Sequence, residues 1–182
     1  MSKIFVDTIE PKTSGGDVSL EGVTKITNAP MFHAYHTSNS GQSGVLTGLN
    51  SESNVIYKGN LTSINTNNCY DTSTGRFTPG VAGKYWCYAT MSVTSGVATQ
   101  WERAIIRFLK NGVKYPASTS EFDFSIGQDS AEPTTMPISI SMIVDLDADD
   151  YLECQVFHDT ESSFWEFKTS NCHFGGYKLI GG

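Results

Sequence analysis

The densest group of potential metal ligands is the acidic run at residues 145–150. Asp145, Asp147 and Asp149 stand at alternate positions, the spacing at which the carboxylates of a calcium loop converge on one cation. The rest of that motif is missing, because Asp150 stands where the loop needs Gly and Val156 stands where it needs a bidentate Glu. We therefore favour a solvated turn between two strands, with a surface cation as the alternative. Neither a metal nor a cofactor is expected.

Histidine and cysteine spacing gives no stronger metal motif. His33 and His36 lie three residues apart, which on a strand places them on opposite faces, so they cannot share one metal. His158 and His173 each stand alone, and we expect surface or hydrogen-bonded imidazoles. The four cysteines show no Cys-x-x-Cys pair, which favours reduced thiols in strands over disulfides or zinc ligands. They are Cys69, Cys87, Cys154 and Cys172.

Catalytic patterns are missing from the sequence, and an enzyme is not expected. It contains no Gly-x-Ser-x-Gly, no Gly-x-x-x-x-Gly-Lys, no His-Glu-x-x-His and no dinucleotide fingerprint. The net charge is −7 with scattered cations, which disfavours binding to nucleic acid and to anionic membranes. No apolar stretch approaches the roughly 20 residues of a transmembrane helix, and the first residues do not resemble a secretory signal. We expect synthesis in the cytoplasm without membrane insertion.

Two groups of aromatic residues could contact a partner. In residues 85–93, Trp86 and Tyr88 alternate with a series that includes Tyr85 and Cys87, so both faces of this strand carry rings. A partner subunit, or a loop or the N-terminal arm, must cover Trp86 and Tyr88. The second group is a predicted loop with Phe164, Trp165 and Phe167, whose rings beside polar groups are typical of a sugar-binding loop. Its alternating pattern favours packing within the protein or against a neighbouring subunit.

The composition predicts the elements that position these residues. Seventeen glycines, 12% aromatic residues and many Ser and Thr in 182 residues favour a single all-β domain. The alternation of residues 138–146 gives one apolar and one polar face, and Asn111-Gly112 predicts a hairpin. About ten strands are expected, the number of a two-sheet sandwich or jelly roll. They lie at 31–36, 54–57, 68–70, 76–78, 83–94, 103–110, 113–115, 121–124, 138–145, 151–158 and 173–180.

The first 30 residues differ from the rest of the chain. They hold two short apolar β pieces separated by Pro11 and a Ser-Gly-Gly turn, too little to bury a core of their own. We interpret residues 1–30 as an extended arm that docks on another protein, and residues 31–182 as the folded domain. The predicted anchoring residues are Ile4, Phe5, Val6, Ile9, Val18 and Leu20.

Residues 65–85 resemble the signature of the complement 1q-type jelly-roll family, which is related to the tumour necrosis factor fold. The positions that match in register are Asn65, Tyr70, Phe77, Gly83 and Tyr85, whereas Gly59, Cys87 and Ala89 stand where the family has aromatic residues. Residues 144–157 and 174–180 are similar to the family's penultimate hairpin and closing strand. The resemblance covers about residues 31–180 and implies a ten-stranded jelly roll that forms a homotrimer, is not enzymatic and binds proteins or glycans.

Residues 5–18 of the arm look like the leading segments of structural proteins from tailed bacteriophages. The chain is therefore predicted to be a virion protein whose trimeric body projects outward while the arms bind capsid or tail proteins. It would be a capsid decoration, cement or head-fibre protein, or a short fibre. The alternative is the receptor-binding tip of a tail fibre that recognises a host-surface glycan or protein through residues 164–167.

Overall fold

The computed structural model describes residues 29–36, 43–45, 51–95, 101–123, 135–160, 164–167 and 172–179. The predicted anchoring residues of the arm lie outside these ranges. Within them the chain forms one 3-10 turn, Thr66–Asn68, and thirteen strands. The strands are β1 (Met31–Tyr35), β2 (Ser43–Val45), β3 (Ser51–Ile56), β4 (Leu61–Asn65), β5 (Tyr70–Asp71), β6 (Arg76–Phe77), β7 (Gly83–Ser95), β8 (Trp101–Lys110), β9 (Val113–Asp123), β10 (Thr135–Leu146), β11 (Leu152–Thr160), β12 (Phe164–Phe167) and β13 (His173–Lys178).

The strands form two antiparallel sheets, which confirms the predicted all-β sandwich. In sheet A, β7 pairs with β10 along one side and with β13 and β12 along the other. This sheet continues from β13 to β1 and β4, and from β12 to β2. In sheet B, β11 pairs with β8 on one side and with β3 and β6 on the other, and β9 and β5 lie at the edges.

Aromatic rings from both sheets meet in the core between them. Phe32 of β1 stacks on Phe77 of β6, with 4.5 Å between ring centroids. Phe174 of β13 lies 5.7 Å from Phe108 of β8. All four side chains are buried, and removal of one such ring from a core typically costs about 3–5 kcal/mol. The two sheets are thus joined by ring contacts between residues far apart in the sequence.

Local sequence signals predict several elements correctly. In β10, Ile138, Val144 and Leu146 are buried while Ser139 and Ser141 are exposed, as alternation predicts. The hairpin between β8 and β9 turns at Asn111 and Gly112, whose φ angles are 53° and 77°. Two consecutive positive φ values define the turn type that Asn-Gly favours in two-residue hairpins.

Strand β9 and the short edge strands depart from the prediction. The sequence predicts two short strands with a break at Pro116 and the residues after it. In the structure β9 is continuous over Val113–Asp123. The chain absorbs the irregularity at Ala117, which has a φ of 54°. The Ser118 hydroxyl stabilises the distortion, since it lies 2.6 Å and 3.0 Å from the carbonyl oxygens of Tyr115 and Phe108. Strands β2 and β4 were not predicted, because neither has a clear apolar alternation.

The residues that carry the family resemblance form a compact structural unit. The Asn65 amide bonds both backbone groups of Tyr70, accepting from its N–H and donating to its carbonyl at 2.9 Å each. Tyr70 accepts a hydrogen bond from the backbone of Gly59 and stacks on Phe32, with 4.9 Å between centroids. Phe77 meets Tyr85 edge-on at 5.5 Å. Their spacing is therefore a requirement of core packing in this domain.

Candidate subunit interface

The outer face of sheet A aligns side chains from neighbouring strands into three rows. The first row contains Ile143 of β10, Trp86 of β7, Tyr177 of β13 and Met31 of β1. The second row contains Ser141, Tyr88, Gly175, His33 and, on β4, Ile64. The third row contains Ser139, Thr90, His173, Tyr35 and Leu61. We call this surface the uncharged face, because none of its positions carries Asp, Glu, Lys or Arg.

The uncharged face combines exposed apolar side chains with a sharp charge boundary. Ile143 is 50% exposed and Tyr177 is 45% exposed, and both flank the half-buried Trp86. The first charged residues lie one row further on, where Lys84 of β7 stands opposite Asp145 of β10 in the strand register. An apolar surface without charges is typical of the centre of a protein–protein interface. Trp86 and Tyr88, the predicted trimer-contact residues, both lie within it.

Tyr88 lies flat across the neighbouring strand because that strand carries a glycine. A Cβ atom at Gly175 would overlap the Tyr88 ring. The missing side chain lets Tyr88 reach over β13 to β1, where its Oη lies 3.1 Å from His33 Nδ1. Burial raises the pKa of the Tyr88 hydroxyl, so it remains neutral. The result is a smooth aromatic surface across three strands.

A shallow groove runs beside Tyr88 on the same face. Its volume is about 270 Å³, and hydroxyl groups from β7 and β10 line it. Two of these, Thr90 Oγ1 and Ser139 Oγ, lie 2.9 Å apart. The groove makes the face concave beside the Tyr88 ring.

Two histidines come together on the uncharged face. His33 of β1 and His173 of β13 have ring centroids 5.5 Å apart, and the Tyr88 ring lies 5.9 Å from that of His173. Burial, and secondarily the neighbouring His33, lowers the pKa of His173. His36 is buried and packs edge-on against Tyr57, which confirms that it does not share a site with His33.

The outer face of sheet B has a different character, because charged and amide groups cover it. Arg76 donates to Glu153 at 2.9 Å and lies over the Tyr151 ring at 4.0 Å. Arg107 donates to Gln155 and Asn54 at 2.6 Å and 2.9 Å. A surface whose charges are already paired within the chain is typical of a solvent-facing sheet. Of the two outer faces, that of sheet A is the better candidate interface.

In the acidic turn, Asp150 is the aspartate whose carboxylate is fixed by hydrogen bonds within the chain. Its oxygens accept hydrogen bonds from Lys110 at 2.7 Å, from Asn111 at 2.6 Å and from the backbone N–H of Asp147 at 2.7 Å. The hydrogen bond from Lys110 and these other donors lower the pKa of Asp150 to about 2. Asp145, Asp147 and Asp149 are exposed. Within the described ranges no three His, Cys, Asp or Glu side chains are placed to hold one metal ion.

The aromatic segment at residues 164–167 is strand β12, where the sequence predicted a loop. It pairs with β2 on one side and with β7 on the other. Phe167 is buried and meets Tyr57 edge-on, with 5.6 Å between centroids. The Phe167 ring is therefore part of the core and is not available to an outside ligand. The side chains of Phe164 and Trp165 lie outside the described part of the chain.

The four cysteines are free, as the sequence predicted, and all are buried. Cys87 and Cys154 lie in the predicted strand positions, whereas Cys69 and Cys172 lie just before β5 and β13. Burial raises the pKa of Cys69 and of Cys172 to about 11. Burial also raises the pKa of Cys87 and Cys154 well above the usual value of a thiol. Thiols of this kind remain protonated and act as small apolar side chains.

No model of a known protein family matches the chain, and no curated protein sequence matches it. The described residues include no helix long and apolar enough to cross a membrane. The function must therefore be argued from the motif residues, from the strand order and from the chemistry of the two outer faces.

Trp86 and Tyr88 are predictable from the sequence, whereas most of their neighbours on this face are not. Alternation alone places His173, Gly175 and Tyr177 on one face of β13. That these residues lie beside Trp86 and Tyr88 depends on the order of strands in sheet A, where β13 and β7 pair residues more than 80 positions apart. Ile143 was not singled out because it stands alone among polar residues on its face of β10.

Proposed function

We propose that the chain is a non-enzymatic structural protein of a phage virion, a homotrimeric capsid decoration or short-fibre protein. Its domain associates through the uncharged face, and residues 1–30 attach it to the particle. The observation that carries the proposal is the alignment of Ile143, Trp86, Tyr177 and Met31 in one row that contains no charged residue. Such a row exposes rings and aliphatic groups to water unless another copy covers them.

Two further observations support this proposal. The strand order β10-β7-β13-β1-β4 of sheet A, facing β5-β6-β11-β8-β9 of sheet B, is compatible with the jelly roll that the resemblance implies. In addition, the hydroxyl-lined groove beside Tyr88 gives the apolar row a polar margin, and protein interfaces combine an apolar centre with a polar rim. The trimeric state follows from the resemblance, and the attachment to a particle follows from the phage-like arm.

Deletion of residues 1–30 tests the two parts of the proposal separately. The truncated chain keeps all the core residues of the described sandwich, so it should fold and remain a trimer while it no longer joins virions. The copy number per particle then distinguishes the roles, since decoration needs hundreds of copies and a fibre needs a few trimers. If the truncated domain still occupies virions at the full level, the arm is not the anchor.

A further inference from the structure

Two of the four histidines of this chain form a pair on the uncharged face, and the other two are buried. His36 is 4% exposed and His158 is fully buried, so neither ring is accessible to a solute. His33 and His173 are both partly exposed, and they come from neighbouring strands β1 and β13. The two accessible imidazoles, those of His33 and His173, therefore lie side by side on the uncharged face.

The geometry of the pair is close to that of two imidazoles on one metal ion. Nitrogen ligands lie about 2.0–2.1 Å from zinc at roughly tetrahedral angles, which places the two ring centroids about 5 Å apart. The centroids of His33 and His173 are 5.5 Å apart, and their planes differ by 35°. The separation of the two rings is therefore near that of two imidazoles bound to one ion.

The hydroxyl of Tyr88 is placed to orient the His33 ring. Tyr88 Oη lies 3.1 Å from His33 Nδ1. When Nδ1–H donates to this oxygen, the Nε2 lone pair of His33 is free, an arrangement that orients many metal-bound histidines. No Lys or Arg lies in the rows of the uncharged face to repel a cation.

We propose that His33 and His173 together bind a divalent transition metal ion of the class that prefers imidazole, namely Cu²⁺, Ni²⁺ or Zn²⁺. Each chain supplies two ligands, and water or the same pair from another copy completes the coordination. The acidic turn is not part of this site, because its carboxylates project from the turn after β10 and prefer harder cations. The inference does not depend on trimer formation.

The test is a Cu²⁺ titration of the full chain, followed by calorimetry and by electron paramagnetic resonance. We expect at most one ion per chain with two imidazole nitrogens in its spectrum. His33→Gln or His173→Gln alone should lower the affinity for Cu²⁺ at least tenfold. Each single variant should lose nearly as much affinity as the double variant, because one ring alone cannot chelate the ion. Asp147→Asn with Asp149→Asn is the matched control and should leave the affinity unchanged.

Three results would overturn the proposal. The first is that each single histidine variant keeps the affinity and binds half as many ions, which would mean two independent rings. The second is a double histidine variant that binds as the wild type does, and the third is loss of the ion in the control variant at the acidic turn. Light scattering on the same samples tests the trimer independently of the metal site. A monomeric chain that binds Cu²⁺ through both histidines would contradict the proposed trimer but would support the metal site.

Discussion

Trp86 of β7 stands directly opposite Tyr177 of β13 on the outer face of sheet A. Ile143 extends this pair on one side and Met31 on the other, so four adjacent strands present one apolar row. On one side of it, two further rows hold hydroxyl, imidazole and apolar groups, and on the other side the charged residues begin with Lys84 and Asp145.

Ile143→Asp should prevent association of the domain without unfolding it. The side chain is 50% exposed in the single chain, so an aspartate there remains hydrated, whereas in an interface it would be a buried unpaired charge. We expect the dissociation constant of the assembly to rise roughly 100-fold or more, measured by sedimentation velocity across a concentration series.

Val113→Asp is the matched control for Ile143→Asp. Val113 is also β-branched and is 71% exposed, but it lies on the β8–β9 hairpin away from the uncharged face. It should leave the association unchanged. Equal weakening by the two variants would show that the uncharged face is not the contact surface.

Gly175→Ala should destabilise the chain through Tyr88. The new methyl group overlaps the Tyr88 ring and forces it off the surface, at a cost of about 1–3 kcal/mol in the free energy of unfolding. In a Tyr88→Ala background the same substitution should cost much less, because the ring that it displaces has been removed. A double-mutant cycle by urea unfolding measures this coupling, and additive effects of the two substitutions would argue against the contact.

The stability should fall as the pH is lowered from about 6.5 towards 4. Burial lowers the pKa of His158 from 6.5 to about 4, so the unfolded chain binds a proton in this range that the folded chain does not. The full effect is roughly 3 kcal/mol, lost progressively as the pH falls through this window. The lowered pKa of His173 acts in the same direction. His158→Gln should flatten the dependence measured by urea unfolding at several pH values, and an unchanged slope would exclude His158 as its main source.

The four thiols should be unreactive in the folded protein. All four cysteines are buried and free, and burial raises the pKa of each. A thiol reagent such as dithionitrobenzoate should modify none of them in the native protein and all four after denaturation in guanidinium. Fewer than four reactive thiols after denaturation would indicate disulfides.

The sequence predicts the parts of this fold that depend on local spacing. Asn111-Gly112 determines its hairpin, and the alternation in β7 and β10 determines which side chains are buried, because both are properties of one strand or one turn. The contact between His33 and His173 joins residues 140 positions apart and follows only from the pairing of β1 with β13. Ile143 belongs to the candidate interface for the same reason, since β10 places it beside Trp86. The continuity of β9 is not predictable from the sequence, because it depends on hydrogen bonds from the Ser118 hydroxyl to the carbonyl oxygens of Tyr115 and Phe108.

The most direct test of the account is the mass of the full chain in solution, measured by sedimentation equilibrium at neutral pH. Three chains of 19.9 kDa associated through the uncharged face predict about 60 kDa. A mass that stays at that of a single chain over the whole concentration range would contradict the claim that the uncharged face joins three copies of this protein.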